Sequence, residues 1–325
     1  MEKPTITVYA CGGAGINIAQ YFQQFKNKPN TGFASIKVVY IDTSRANISS
    51  SIPSEDIYLV QNLDGSGKVR AENHRQISEC VQDILLTYKP SSLSIVISSL
   101  SGGSGSVIAP LLASELLSRK ENVIVFGIAS TDSRIEVENS IKTLKSYESF
   151  AKRTNEPVPM FYYLNNETSS RSENNAKVHQ AITMLAVLFS GENKELDSTD
   201  LKNWLHYTKV TNVVPKLTYV SVHTGSVAGV NGQIITCATL AKENTNTSPG
   251  GAVDYQCVGF VPESGENLNF KDALHYLVLD NVIPTIFGDL ERMLNEQDQV
   301  ARAKLRHVPS ILSDKDHPTD DGLIL

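Results

Sequence analysis

The chain has 325 residues, enough for two domains each with its own core, and its 41% hydrophobic and 20% charged content is that of an ordinary globular protein. A formal net charge of −6 excludes a general nucleic-acid-binding surface, and no apolar run approaches the roughly 20 residues needed to cross a bilayer. The four cysteines (Cys11, Cys80, Cys237, Cys257) and the seven histidines are scattered. That pattern argues for free thiols in a reducing cytoplasm and against any metal site built on protein ligands alone.

In chain order, Thr5–Ala10 reads as a strand, followed by Cys11-Gly12-Gly13-Ala14-Gly15 and a helix carrying Ile16, Ile18, Ala19, Phe22 and Phe25. The Met1-Glu2-Lys3-Pro4 start has no leader pattern. Lys37–Ile41 forms a second strand ending at Asp42-Thr43-Ser44. A short third one, Ile57–Val60, leads into Asp64-Gly65-Ser66-Gly67-Lys68 and a helix bearing Ile77, Val81, Ile84 and Leu85. Leu93–Ser98 and Val123–Ile128 are further strands, with Glu136 and Glu138 in the loop after the latter, and Val158–Leu164 is another. Strands alternating with helices predict a parallel sheet covered on both faces, with ligands over the carboxyl ends of its strands. The glycine-rich and Asp-rich turns fall at those ends.

A helix from about Ser172 to Ser190 is apolar nearly all round (Val178, Ile182, Leu185, Phe189, with Ala181, Met184, Val187 and Leu188), which predicts a core helix buried between two domains. Another helix opens near Asp197 or Ser198. Three alternating segments, Leu217–Val222, Ile234–Leu240 and Val253–Val261, predict a smaller α+β domain with an exposed loop at 243–251. A long terminal helix then carries Val282, Ile286, Leu290, Met293, Leu294 and Ala301. The expected divisions are 1–171, 172–191, 192–280, 281–312 and an acidic tail, 313–325, ending in Leu323-Ile324-Leu325.

The most informative stretch is Ser101-Gly102-Gly103-Ser104-Gly105-Ser106, between a buried strand and a helix with Pro110 expected in its first turn. Glycines permit close approach of backbone to phosphate, serines add hydroxyl donors, and the helix start adds free N–H groups and a positive dipole end. A P-loop is excluded, because Asn62 and Val69 occupy positions around Gly67-Lys68 that the motif reserves for Gly and Ser/Thr. A dinucleotide fingerprint at Gly13-Ala14-Gly15 lacks its third glycine. Asp42, placed like a ribose-binding carboxylate, keeps a nicotinamide-dependent oxidoreductase as the alternative.

The 101–106 loop resembles the GGGTGTG/S signature of the tubulin/FtsZ GTPases. Gly12-Gly13-Ala14-Gly15-Ile16-Asn17 is similar to that family's first phosphate loop, with Asn17 near the base. Asp42-Thr43 is similar to its second, and Asp64-Gly65-Ser66-Gly67 to its third, which senses the γ-phosphate. Asn165 and Asn166 match its base- and sugar-facing loop, and Glu173-Asn174-Asn175-Ala176 resembles the segment whose Asn pairs with guanine. The resemblance implies a Rossmann-like GTPase domain, a core helix and a second domain. It implies GTP/GDP and Mg²⁺ as ligands and head-to-tail self-assembly, with Asp197 and Asp200 completing the next subunit's site. Asn174, with Asn175 as fallback, becomes the base reader, and Glu138, with Glu136 as alternate, the ribose ligand. By residue chemistry alone Asn174 reads first as a helix cap, and Asp197 reads equally as a cap or as a catalytic acid. Short length, a long terminal helix and an acidic tail resemble the bacteriophage tubulins more than chromosomal or plasmid relatives. That likeness implies a filament in the host bacterial cytoplasm that positions phage DNA or capsids. It also implies a tail docked on the neighbouring subunit, and no direct contact with nucleic acid or membrane.

Overall fold

The structure, a computed structural model, describes residues 3–25, 32–71, 73–250, 252–261 and 273–307, apart from the side chains of 25 and 303–307. The acidic tail 313–325 lies outside the described residues. No helix among them is long and apolar enough to cross a membrane.

Among the described residues, ten strands form one sheet in the order β3-β2-β1-β4-β5-β6-β7-β10-β8-β9. The first half comprises β1 (Thr5–Cys11), β2 (Ser35–Asp42), β3 (Ile57–Leu59), β4 (Leu93–Ser99), β5 (Val123–Ser130) and β6 (Val158–Asn165), all parallel. The central strands β1, β4 and β5 are buried on both faces, as parallel strands are when helices cover them above and below, whereas the edge strand β3 is half-buried. The helices are α1 (Gly12–Ala19), α2 (His74–Thr87), α3 (Gly105–Ser118), α4 (Arg134–Thr154), α5 (Arg171–Leu188), α6 (Ser198–Leu205) and α7 (Val282–His307). One core layer packs α1, α5 and α6 against the sheet through Ile16, Val178, Ile182 and Trp204. The opposite layer packs α2, α3, α4 and α7 through Ile77, Leu112, Leu144 and Leu290.

The sheet does not stop where the second domain begins. β7 (Leu217–Thr224) joins β6 in parallel, Val158 opposite Leu217 and Met160 opposite Tyr219. β10 (Leu274–Asp280) then runs antiparallel between β7 and β8 (Gln233–Ala241), and β9 (Tyr255–Phe260) closes the edge parallel to β8. β10 is absent from the sequence-based expectation and forms the centre of this second half. The core helix α5 is held there by the Tyr276 hydroxyl, which donates to the carbonyl of Met184 at 2.7 Å.

Three local expectations are corrected. The first helix ends at Ala19 and continues to Phe25 as a 3₁₀ turn. Pro110 sits in the second turn of α3, not the first. Its missing N–H leaves the Ser106 carbonyl without its helical partner, and Nη2 of Arg70 donates to that oxygen at 3.2 Å. Glu138 lies inside α4 rather than in a loop. The four cysteines are free, as expected, with Cys80 only half-buried.

Candidate functional site

Two glycine loops meet back to back at the carboxyl end of the sheet. Gly12 has φ of +70°, and a Cβ there would stand 2.8 Å from N and Cα of Gly105. A Cβ on Gly105 would stand 2.5 Å from the Cys11 carbonyl oxygen. Only glycine permits this approach. It places the starts of α1 and α3 side by side, and neither helix has a side-chain cap on its first turn. Unclaimed N–H donors and two positive helix ends therefore face one space, which suits an anion.

That space is a cavity of about 700 Å³, within the range of nucleotide-sized ligands. Of the expected residues, Gly12, Gly13, Ala14, Asn17, Asp42, Gly65, Ser66, Gly67, Ser101, Gly102, Gly103, Ser104, Gly105 and Asn165 line it. Gly15, Thr43 and Ser106 stand behind the lining. A Cβ on Gly15 would stand 2.5 Å from the Ile97 carbonyl oxygen, so its role is to seat α1 against β4. The Ser106 hydroxyl donates to the carbonyls of Gly102 and Gly103 at 2.7 and 2.9 Å, fixing the curl of the 101–106 loop. Three loops share one run of hydroxyls: Ser104 Oγ lies 2.5 Å from Thr43 Oγ1 and 3.3 Å from Ser66 Oγ.

Asp42 is 2% exposed. Its carboxylate accepts from the Thr43 backbone N–H at 2.7 Å and from Asn47 Nδ2 at 3.0 Å. Burial raises its pKa above the usual value, and the bonds from Asn47 and Thr43 only partly oppose this. Ser44 donates to Asp64 at 2.9 Å and ties the second loop to the third. Among the described residues no three acidic, His or Cys side chains gather into a metal site.

Two expectations are displaced by a small step along a helix. Asn174 is 2% exposed and does not line the cavity. Its Nδ2 donates to the Leu164 carbonyl and to Asn165 Oδ1, each at 2.8 Å, and its Oδ1 accepts from Ser169 at 3.0 Å. It holds Asn165 from behind the cavity lining. The fallback, Asn175, is on the cavity wall with Arg171. Likewise Glu138 pairs with Arg134 and Lys142 away from the cavity, whereas Glu136 lines it. Glu136 is 7% exposed, accepting from Ser133 Oγ and Lys68 Nζ, each at 2.9 Å. Asn47 and Arg171 are lining residues that sequence reasoning missed. Asn47 had a usable signal, being five residues beyond Asp42 in a turn.

Asp197 and Asp200 do not reach this cavity. α5 starts at its rim and runs about 27 Å along the sheet. It ends near the amino ends of β1 and β2, where the Ala34 N–H donates to the Ala186 carbonyl at 2.7 Å and Gly191 packs on Pro4. The acids follow from that opposite end. There they form a reciprocal cap on α6: Asp197 Oδ1 accepts from the Thr199 and Asp200 N–H groups, and Asp200 Oδ2 from the Asp197 N–H. The Tyr255 hydroxyl donates to Asp200 Oδ1 at 3.2 Å.

Residues 5–168 match the tubulin/FtsZ family GTPase domain, and residues 196–283 match the C-terminal domain of phage tubulin-like proteins. The chain belongs to the tubulin/FtsZ family of GTPases. It is 28% identical over 327 aligned positions, covering all of both chains, to a phage tubulin-like protein of Pseudomonas phage PhiPA3. It is similar in structure to a TubZ protofilament subunit of bacteriophage PhiKZ, with TM-score 0.85, 27% identity and coverage of 98% and 99% of the two chains. The fold is shared with a GDP complex of the phage tubulin PhuZ, TM-score 0.86 at 22% identity over 98% and 99% of the chains. These likenesses set aside the oxidoreductase alternative.

Proposed function

We propose that this chain binds GTP in the cavity between its glycine loops and polymerises head to tail. In this reading each bound GTP is hydrolysed with Asp197 and Asp200 of the adjoining subunit. The observation that carries it is the pairing of a cavity faced by two uncapped helix starts with a carboxylate pair at the opposite end of the same chain. Such a chain has both halves of a phosphoryl-transfer site and cannot bring them together alone. A head-to-tail contact joins unlike surfaces and does not close, so it propagates as a filament.

The backbone N–H groups of α1 and α3 and the hydroxyls of Ser101 and Ser104 hold the phosphates. Asn17, Asn165 and Asn175 present amides, donor and acceptor together, to the base. Glu136 accepts from ribose hydroxyls. Mg²⁺ would supply charge neutralisation at the phosphates, and of the two lining carboxylates, Asp42 and Glu136, Asp42 is the one that would help to hold it. Asp197 and Asp200 orient the attacking water, a step that depends on positioning and electrostatics.

In this reading the filament positions phage DNA or capsids in the host cytoplasm, an expectation carried over from the resemblance to the bacteriophage tubulins. The tail 313–325 docks on the neighbouring subunit in this reading, so its removal abolishes assembly and leaves nucleotide binding intact. Light scattering with GTP, GDP and ATP, beside phosphate release, tests the whole. Scattering that rises with GTP alone, and an Asp200→Ala protein that assembles without releasing phosphate, are the expected results. No scattering with any nucleotide contradicts the proposal.

A further inference from the structure

The acid pair rests against one edge strand of the second domain. β9 lies at the end of the sheet beside β8. Strand alternation puts Tyr255, Cys257 and Gly259 on one face, the face turned towards α6 and the residues that lead into it. Three contacts follow along that strand. Lys194 and Phe260 exchange backbone hydrogen bonds, each at 2.9 Å. Gly259 leaves room for Leu196: a Cβ there would stand 2.7 Å from the Leu196 Cβ. The Tyr255 hydroxyl completes the series on Asp200 Oδ1. Between the first two contacts Glu195 has φ of +60°, a left-handed conformation that a side-chain-bearing residue keeps only where its surroundings hold it.

The two acids are held differently. Asp197 is exposed, and its Oδ1 is fixed by two backbone N–H groups at 2.7 and 2.9 Å. Asp200 is half-buried, and its carboxylate takes a single bond within the cap, from the Asp197 N–H at 3.2 Å. α6 is a poor reference for that side chain, because its eight residues make only about two turns and helix ends fray. Tyr255 supplies the second bond, also at 3.2 Å, from a strand that is hydrogen-bonded into the ten-stranded sheet. Burial raises the phenol's pKa to about 12, so its proton stays in place across the neutral range and the group acts as a donor. Asn203, one turn further along α6, stands beside the same oxygen as a side-chain donor.

We propose that Tyr255 is a positioning residue for hydrolysis, aiming the Asp200 carboxylate at the cavity of the adjoining subunit. This rests on the reading of Asp197 and Asp200 as the acids that complete that cavity. A carboxylate free to turn meets the attacking water in only some of its rotamers, whereas a fixed one is ready when two subunits join. Tyr255 acts through Asp200, so its loss slows the chemical step and spares the nucleotide binding and assembly that precede it.

The full chain tests this as wild type, Tyr255→Phe, Gly259→Ala and Asp200→Ala. GTPγS affinity is measured by calorimetry, the assembly threshold by light scattering, and phosphate release from GTP is counted per assembled subunit. Tyr255→Phe removes one oxygen and keeps the ring. It is expected to lower release per assembled subunit on the order of tenfold, the scale of one hydrogen bond to a charged group, with affinity and threshold at their wild-type values. Gly259→Ala pushes on Leu196 from the same strand and should slow release with the same unchanged affinity. A merely structural loss would instead raise the threshold. Release at the wild-type rate from Tyr255→Phe filaments, or a fall that a raised threshold accounts for, overturns the assignment. Asp200→Ala filaments that release phosphate at the wild-type rate overturn the acid-pair reading beneath it.

Discussion

Gly12 and Gly105 touch backbone to backbone, close enough that a Cβ on either would fall within 3 Å of main-chain atoms of the other loop. The Gly12 loop and the 101–106 loop are therefore packed directly on one another, which sets the starts of α1 and α3 side by side at the candidate anion site. Gly105→Ala tests this. The new methyl meets the Cys11 carbonyl and must displace it, at a cost of about 1–3 kcal/mol. Urea denaturation should show that loss, and nucleotide should no longer raise the midpoint.

Arg70 serves the same pair of loops from below. It supplies the donor that Pro110 withholds from Ser106 and also donates to Ser146 at 3.3 Å. Arg70→Ala strands a buried carbonyl and should cost about 1–3 kcal/mol in chemical denaturation. Replacing Pro110 with Ala restores the helical N–H. The double variant Arg70→Ala/Pro110→Ala should then recover part of the loss, a coupling readable in a double-mutant cycle.

Asp42 makes the fold pay for function at neutral pH. Burial raises its pKa in the folded chain, so the folded state binds its proton more tightly than the unfolded state does. The group's favourable contribution is present below its unfolded pKa and lost as pH rises through the folded one. Asp42→Asn should therefore raise the neutral-pH melting temperature of the nucleotide-free protein, and the gain should shrink on acidification towards the ordinary aspartate range. Mg²⁺-dependent GTP binding should weaken in the same variant. A melting temperature lowered at neutral pH would contradict the sign.

Asn174 and Asn175 divide two tasks. Asn174→Ala strands the Leu164 carbonyl and releases Asn165, which should cost about 1–3 kcal/mol of stability. Asn175→Ala should leave the melting temperature near the wild-type value and lower the preference for GTP over ITP or ATP, measured by competition binding.

The parallel sheet and its glycine loops were legible in the sequence because each signal is local: an apolar run, then glycines, then a helix start. Helical phase was not. Glu136 and Glu138, or Asn174 and Asn175, differ by one or two residues, and each residue turns the side chain by about 100°. Choosing between them requires the helix start. Ser170 and Glu173 do form a capping box, and Ser133 bonds Glu136 at the start of α4, so the Ser-x-x-Glu spacing was a usable signal in both places. β10 escaped for another reason. Leu274–Asp280 is apolar without alternation because it is buried on both faces between β7 and β8, and such a run resembles the start of the helix that follows it.

The central claim is that one chain supplies the cavity and the next supplies the carboxylates. Mixing two disabled proteins tests it most directly. Asp200→Ala keeps the cavity. Gly102→Phe fills it, at a position where a Cβ meets only the Ser99 side chain at 3.6 Å and the backbone needs no change. Each alone should release almost no phosphate from GTP. Mixed in equal amounts, they should regain activity, because some contacts join an intact cavity to an intact acid pair. Phosphate release that stays at the level of the separate proteins, in mixtures shown by light scattering to co-assemble, would contradict the account.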